Sequence, residues 1–423
     1  MRWFKLLVRV SGRGFEGVLK APPSKSYTHR ALTCASLARG RSRILNPLLS
    51  DDTFTSLKAL MSLGIEFSIT DQYIDVFGGE FKPKVSLINC EESGTTLRFI
   101  LGVISLINNR LVVSGSGSLL RRPIGELVKA LNDLGAKVLS NGDYLPVISY
   151  GGFRGGVARV RGDISSQFIS SLLIVSALAK EPTTIIITSK LESKPYVMMT
   201  LKTQECFGVR VVFNDNVFEV PQVSYRPTEF SVEGDWSSIT YFLVGAAISG
   251  YVRILNINPE SLQSDKRIID VLRLSGASVV LGSDWVEVSS SGLEGFEYDV
   301  SDSPDLLPVL SVLAAVSKGT SVVRGVSRCR LKESDRVEAV TTNLRNLGVD
   351  VRVLGDEVLI KGCKTIKSGI VSSYGDHRIA MAFSLLSLVT DYVVIDNPFC
   401  VSKSYPNFWE DLNSLGMNVE VIL

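Results

Sequence analysis

Histidine occurs only twice in the 423 residues, at 29 and 377, and the six cysteines (34, 90, 206, 329, 363 and 400) stand far apart with no Cys-x-x-Cys pair. Spacing therefore offers no zinc site, and thiols used this way belong to a reducing, cytoplasmic compartment. An excess of charge of one sign is lacking too. Lys and Arg number 45 against 43 Asp and Glu, a formal net charge of +2. Nucleic-acid and membrane-surface proteins carry a basic excess, so neither partner is expected. No apolar run reaches the ~18 residues that a membrane span needs, and "LLPVLSVLAAV" has the length of a buried helix. The N-terminal "MRWFKLLVRVSGRG" contains neither an h-region nor a small-residue cleavage site. It reads as an amphipathic strand, not an address.

What is present is a repeat. Six segments end an amphipathic helix on glycine and pass at once into a β-rich strand, "LKALMSLGIEFSI" and "VTTNLRNLGVDVRVL" among them. Their glycines, 64, 135, 208, 276, 348 and 416, are spaced 68 to 73 residues apart. Glycine suits the left-handed position just beyond a helix end. A second set of six has the same period: a polar head feeding a very apolar helix, beginning near 25, 93, 165, 236, 303 and 375. Helices that are apolar nearly all round are buried, so these form the core and the glycine-ended set covers the outside. The chain thus holds six strand–helix–strand–helix–strand units of about 70 residues. Three per domain gives two domains, with a boundary at "SVEGDWSS" around Glu233–Asp235. The first two strands, Trp3–Val10 and Phe15–Leu19, precede the first core helix without partners and are assigned to the C-terminal half. The expected domains are 1–22 with 235–423, and 23–234.

The polar heads carry the chemistry. "PPSKSYTHRALTCASLARG" places Lys25, His29 and Arg30 on the opening turns of a helix, the end whose dipole repels cations. Cations there make sense where an anionic ligand offsets the repulsion, since helix N-termini suit phosphate and carboxylate. The other heads supply Gly94 and Thr95; Ser165, Ser166 and Gln167; Asp305; and His377 with Arg378. Basic clusters lie between them: Arg121 and Arg122, then Arg328, Arg330, Lys332 and Arg336, then Lys403. The inventory fits a ligand with more than one anionic group, and Asp305 and Glu333 are the carboxylates placed for proton transfer. Each residue also has a plainer reading. Ser165 and Ser166 could be N-caps, the arginines solvated surface, His29 structural, and Arg98, inside its helix, a partner for a structural carboxylate. Cys329 sits among basic residues but lacks a partner base.

"PPSKSYTHRAL", "SGTTLRF", "RRPIGELVKAL", "DISSQFISSLL", "SKPYVMMT", "SDSPDLLPVL", "LKESDRVEA", "YGDHRIAMAFSL" and "VSKSYPNFWEDL" resemble, in order and spacing, the motifs of the 5-enolpyruvylshikimate-3-phosphate synthase family, from about residue 10 to the end. The resemblance implies an α/β fold of two domains, the enolpyruvyl transferase fold. Each domain has three βαβαββ units with buried parallel helices, an inside-out α/β barrel, and the site lies in the cleft where the helix N-termini meet. It implies transfer of the enolpyruvyl group of phosphoenolpyruvate to the 5-hydroxyl of 3-phosphoshikimate by addition and elimination, with no metal or organic cofactor. A monomer with small-molecule substrates is expected. So are domains that repel one another when empty and close on anionic substrates. By motif, 3-phosphoshikimate would be held by Lys25, Ser26, Arg30, Ser165, Ser166, Gln167, Ser193, Tyr196, Asp305 and Lys332. Phosphoenolpyruvate would be held by Lys25, Gly94, Arg122, Gln167, Arg336, Arg378 and Lys403. Asp305 would take the hydroxyl proton, while Glu333 and Lys403 would handle protons at C3. Lys25 would reach both substrates, and His377 would support Glu333 and Arg378.

Two positions depart from the family pattern. Glu92 stands where Asn is common, and Arg328 stands where Asn or His is common, four residues before Lys332. The alternatives are the related enolpyruvyl transferase acting on UDP-N-acetylglucosamine and a catalytically inactive, anion-binding paralogue. The first typically has a cysteine ahead of its Arg-Pro, which "SGSGSLLRRPI" lacks. The second would have lost Asp305, Glu333, Lys25 or Lys403, and all four are present.

Overall fold

The structure, a computed structural model, describes residues 6–12 and 14–422. Contacts divide the chain into two compact units, Met1–Pro22 with Gly234–Leu423, and Pro23–Glu233. Among the described residues there are twelve α-helices. In the Pro23–Glu233 unit these are α1 (Lys25–Leu37), α2 (Asp51–Ser62), α3 (Gly94–Ser105), α4 (Gly125–Asp133), α5 (Ser166–Ser176) and α6 (Lys194–Cys206). The other unit holds α7 (Trp236–Ser249), α8 (Ile268–Leu274), α9 (Leu307–Val316), α10 (Arg336–Asn346), α11 (His377–Ser384) and α12 (Phe408–Ser414).

Odd- and even-numbered helices do different work. From Tyr27 onward every residue of α1 is buried, and so are every residue of α11 and α9 from Leu307 to Ala315. The even helices bury one stripe; in α4 that stripe is Leu127, Val128, Ala130 and Leu131. Hydroxyls inside the buried helices close on their own turns, as Thr33 Oγ1 does on the His29 carbonyl at 2.8 Å and Ser311 Oγ on Leu307 at 2.7 Å. Such back-bonding satisfies polar groups in a dry core. Each even helix is followed by a glycine with φ between +84° and +97°, at 64, 135, 208, 276, 348 and 416. A side chain at such a φ meets its own backbone, and the chain reverses there into a strand.

Among the described residues six four-stranded sheets share one pattern. The strand after each buried helix pairs in parallel with one neighbour and antiparallel with a hairpin strand, as Thr183–Ile187 does with Gly156–Val160 and Val217–Val220. Side chains of Thr183–Ile187 alternate between buried and half-buried, so one sheet face packs on the helices. Three sheets depart from chain order. Glu16–Lys20 runs into α1 but pairs with Tyr251–Leu255, the strand after α7. Glu229–Ser231 runs towards α7 but pairs with Gly40–Leu45, the strand after α1. Each strand thus pairs within its own unit, Glu16–Lys20 with the segment Gly234–Leu423 and Glu229–Ser231 with the segment that opens at Pro23. Leu7–Ser11 lies between Val393–Asp396 and Asn418–Ile422, completing the last sheet. The sequence-based strand from Trp3 to Val10 thus begins at Leu7, and Trp3–Lys5 lie outside the described residues. Each unit has its own apolar core.

Candidate functional site

In the Pro23–Glu233 unit the heads of α1, α3 and α5 adjoin. Lys25 opens α1 and its Nζ pairs with Asp52 Oδ2, on α2, at 2.9 Å. A carboxylate of the protein itself thereby offsets part of the dipole's repulsion. Arg30, one turn on, is buried. Its Nε donates to Thr200 Oγ1 at 2.9 Å, and its Nη atoms donate to the Ser26 and Tyr196 carbonyls at 2.8 Å each. Burial lowers its pKa to about 10, with Tyr27 and Tyr196 acting the other way. Arg30 therefore ties α1 to α6 and fixes the position of Tyr196, while Ser193 caps α6 from the left-handed region at φ +53°.

Gly94 opens α3 with its bare α-carbon against Arg122. A Cβ there would overlap Arg122 Nη1 and lie 2.9 Å from its Cζ. Arg98 holds the same corner, its Nη1 donating to the Gly94 carbonyl at 3.2 Å and its Nη2 to the Pro123 carbonyl at 3.3 Å. Gln167 joins α5 to α3 through Nε2 and Thr95 Oγ1 at 2.9 Å, and its buried Oε1 has no hydrogen-bond partner among the described residues. Ser165 is the N-cap of α5, accepting from the Gln167 N–H at 3.3 Å, and Ser166 is buried beside it. The departure at Glu92 packs its carboxylate on Gly117, at the start of the turn Gly117–Arg121 that leads to Arg122. His29 is structural. It is wholly buried, its Nδ1 pairs with Ser56 Oγ at 2.8 Å, and burial pushes its pKa down to about 3.

The other unit is organised around Arg336, at the head of α10, whose side chain is 1% exposed. Its Nη1 reaches Asp305 Oδ1 at 2.5 Å, its Nη2 reaches Glu333 Oε2 at 2.7 Å, and its Nε reaches Asp376 Oδ2 at 2.8 Å. Burial alone would weaken the guanidinium's hold on its proton; Asp376, Glu333 and Asp305 together raise its pKa well above the usual value. Asp376 is itself the N-cap of α11, accepting from the Arg378 N–H at 2.9 Å, and it takes the Ser334 hydroxyl at 3.0 Å. Arg378 reaches Asp305 Oδ2 at 2.8 Å and the Tyr241 hydroxyl, on α7, at 3.4 Å. Lys332 Nζ lies 3.5 Å from Asp305 Oδ1. Burial would raise the Asp305 pKa, but Arg378, Lys332 and Arg336 outweigh it and hold the carboxyl well below its usual range. Burial lowers the Lys332 pKa, with Asp305 opposing.

His377 is buried at the head of α11, its Nδ1 3.9 Å from Asp376 Oδ1. Lys403 is half-buried at the end of the turn Pro398–Lys403. Arg328 is half-buried, with Nη1 3.5 Å from the Ser301 carbonyl. Cys329 is no activated thiol, because burial pushes its pKa up to about 12. Five further residues hold these side chains in place within their own units. Asp52, Thr200, Tyr241 and Asp265 lie far in sequence from the cations they serve, and no local pattern marks them. Asp376 does have a signal, the N-cap position directly before His377 and Arg378. Among the described residues, no group of His, Cys, Asp and Glu is arranged to hold a metal ion, and no helix is long and apolar enough to cross a membrane.

Comparison with known proteins bears on this arrangement. The family model for EPSP synthase (3-phosphoshikimate 1-carboxyvinyltransferase) matches residues 11–412. A 3-phosphoshikimate 1-carboxyvinyltransferase of Methanothermobacter thermautotrophicus is 41% identical over 98% of this chain and 99% of its own length. That of Methanocaldococcus jannaschii is 38% identical over 99% and 100%. Among solved structures, an EPSP synthase from Acinetobacter baumannii superposes with a TM-score of 0.83 at 25% identity, covering 99% of this chain and 100% of that one. The enolpyruvyl transferase NikO from Streptomyces tendae shares the fold, with a TM-score of 0.79 at 16% identity. With six repeated units in two bodies, buried helix heads bearing these cations and carboxylates, and relatives alike along nearly the whole length, the chain belongs to the EPSP synthase (3-phosphoshikimate 1-carboxyvinyltransferase) family.

Proposed function

We infer that the protein transfers the enolpyruvyl group of phosphoenolpyruvate to the 5-hydroxyl of 3-phosphoshikimate, giving 5-enolpyruvylshikimate 3-phosphate and inorganic phosphate. This is a step of the shikimate route to aromatic amino acids. One observation carries the assignment of roles: Asp305 and Glu333, two carboxylates suited to proton transfer, are both fixed on the buried Arg336, with Arg378 and Lys332 beside them. A site of this kind combines anion binding with acid–base chemistry.

In the addition step the 5-hydroxyl oxygen forms a bond to C2 of phosphoenolpyruvate. Its proton passes to Asp305, and C3 gains a proton from Glu333 or Lys403. In the elimination step C3 gives up a proton and the C2–O bond to phosphate breaks. Asp305 starts as a carboxylate because three cations hold it so. Once the carboxylate and phosphate of phosphoenolpyruvate engage Arg336 and Arg378, their pull on Asp305 is partly offset and its basicity rises when a proton must be accepted. Lys25, Ser26, Arg30, Ser165, Ser166, Gln167, Ser193, Tyr196 and Lys332 hold 3-phosphoshikimate. Gly94, Arg122, Arg336, Arg378 and Lys403 hold phosphoenolpyruvate, with Lys25 and Gln167 reaching it as well.

The test is inorganic phosphate release on mixing the protein with both substrates, with each omitted in turn. Release that requires both is the expected result. Release with UDP-N-acetylglucosamine in place of 3-phosphoshikimate, or none with either, would overturn the assignment.

A further inference from the structure

Asp265 is a buried carboxylate to which the proposed mechanism gives no task. It lies on the turn Ser264–Arg267 ahead of α8 and is wholly buried. Ser237, on the first turn of α7, donates its hydroxyl to Asp265 Oδ2 at 2.5 Å. Arg378 Nη1 stands 4.0 Å from that same oxygen, while Arg378 Nη2 makes its 2.8 Å pair with Asp305. Asp265 Oδ1 is buried and has no hydrogen-bond partner among the described residues. Leaving a carboxylate oxygen unpaired in a dry interior is unfavourable, and tolerable only where a cation compensates. Here that cation is the arginine assigned to phosphoenolpyruvate.

We propose that Asp265, held by Ser237 behind Arg378, is a positioning residue that shares Arg378 with Asp305 and thereby limits how tightly Arg378 grips that carboxylate. The inference rests on the functional reading above. The charged and titratable groups that face Asp265 are Asp235 at the N-cap of α7, Asp305 ahead of α9, Arg378 on α11 and the Tyr298 hydroxyl, while Arg267 on its own turn pairs with Asp302 at 3.7 Å. Burial first, then Asp305, raise its pKa to about 6, with Arg378 and Ser237 opposing. At neutral pH Asp265 is therefore ionised and draws on Arg378, a pull that is lost as the pH falls through about 6.

Removing this charge has two opposite consequences. Arg378 becomes a stronger receptor for an external anion. It also grips Asp305 harder and makes that carboxylate a poorer base. The test is steady-state kinetics of wild type, Asp265→Asn and Ser237→Ala between pH 5 and 9. For Asp265→Asn the expected result is a kcat at least tenfold lower with a KM for phosphoenolpyruvate at least threefold lower, and a flattening of the acid limb of kcat. Ser237→Ala, which keeps the charge, should show a smaller change in the same direction. A kcat within twofold of wild type overturns the inference. So does a fall in kcat with a raised KM and an unmoved pH profile, which is what a merely structural role would give. If Asp265→Asn does not fold, the pH profile of Ser237→Ala decides. If the wild type itself does not turn over, the functional reading fails separately. Calorimetry with phosphoenolpyruvate then still tests Asp265: affinity at least threefold tighter in Asp265→Asn supports its role, and unchanged affinity overturns it.

Discussion

Arg122 and Asp305 show two ways in which neighbours bear on a site residue. Arg122 has its guanidinium laid on the bare α-carbon of Gly94, a close approach that only glycine permits. In Gly94→Ala the new Cβ would overlap Nη1, and Arg98 Nη1 at 3.0 Å blocks the other side. The colliding atoms are the far end of a flexible side chain, so Arg122 should move and the fold should stay. We expect a KM for phosphoenolpyruvate raised about tenfold, or ~1.4 kcal/mol of lost binding, with the KM for 3-phosphoshikimate within twofold. A melting temperature several degrees lower, with both KM values raised alike, would show instead that Gly94 is needed for packing. Asp305 is positioned by charge, between Arg336, Arg378 and Lys332. Asp305→Asn keeps the shape and removes the basicity, so kcat should fall about 10²- to 10⁴-fold while 3-phosphoshikimate affinity, read by calorimetry, changes little. Equal losses in binding and rate would contradict its role as the base.

The twelve helices were legible because each half of the repeat carries its own punctuation. A glycine at the same phase six times predicts a helix end, and at all six positions φ lies between +84° and +97°. Equal φ does not mean equal cost of substitution. At Gly348 a Cβ would meet only the Lys367 side chain at 3.6 Å, whereas at Gly64 it would lie 2.5 Å from the Lys82 carbonyl oxygen and 2.9 Å from the Lys82 nitrogen. That segment cannot retreat, because Lys82 and Lys84 donate to the Leu63 and Ser62 carbonyls at the end of α2. Gly348→Ala should cost about 1 kcal/mol, the left-handed strain alone. Gly64→Ala should cost about 3 kcal/mol, the same strain plus overpacking against backbone. Urea unfolding of the two variants tests this, and equal losses would mean that φ alone sets the cost. The helix heads were legible for a related reason: cations at the end of a helix that repels them call for an anion. What spacing could not show is that some of that compensation is internal. Asp52 neutralises Lys25 across 27 residues, and Asp376 bridges to Arg336 across 40.

At the scale of the whole molecule, the period of about 70 residues was legible, and so was the place of Phe15–Leu19 with the C-terminal half, but the pairing of Glu229–Ser231 was not. The lack of partner strands ahead of α1 placed "FEGVLK", but nothing in "TEFSVE" says that it joins Gly40–Leu45 and not Tyr251–Leu255, both amphipathic strands after a buried helix. Each unit has a core of its own, and the proposed ligand groups are divided unevenly between them. Of the ten residues assigned to 3-phosphoshikimate, only Asp305 and Lys332 belong to the unit of Gly234–Leu423. The residues assigned to phosphoenolpyruvate include Arg336, Arg378 and Lys403 of that unit. Binding stabilises most where contacts are made, and hydrogen exchange reads local stability. With 3-phosphoshikimate alone, amides at the heads of α1, α5 and α6 should therefore slow at least tenfold, and those at the heads of α10 and α11 by much less. Adding a non-reacting analogue of phosphoenolpyruvate should then slow the second group. If 3-phosphoshikimate alone protects the heads of α10 and α11 as strongly as those of α1 and α5, then Asp305 and Lys332 bind as much of it as the serine and arginine cluster does. The division of the two substrates between Arg30 and Arg336 would then have to be redrawn.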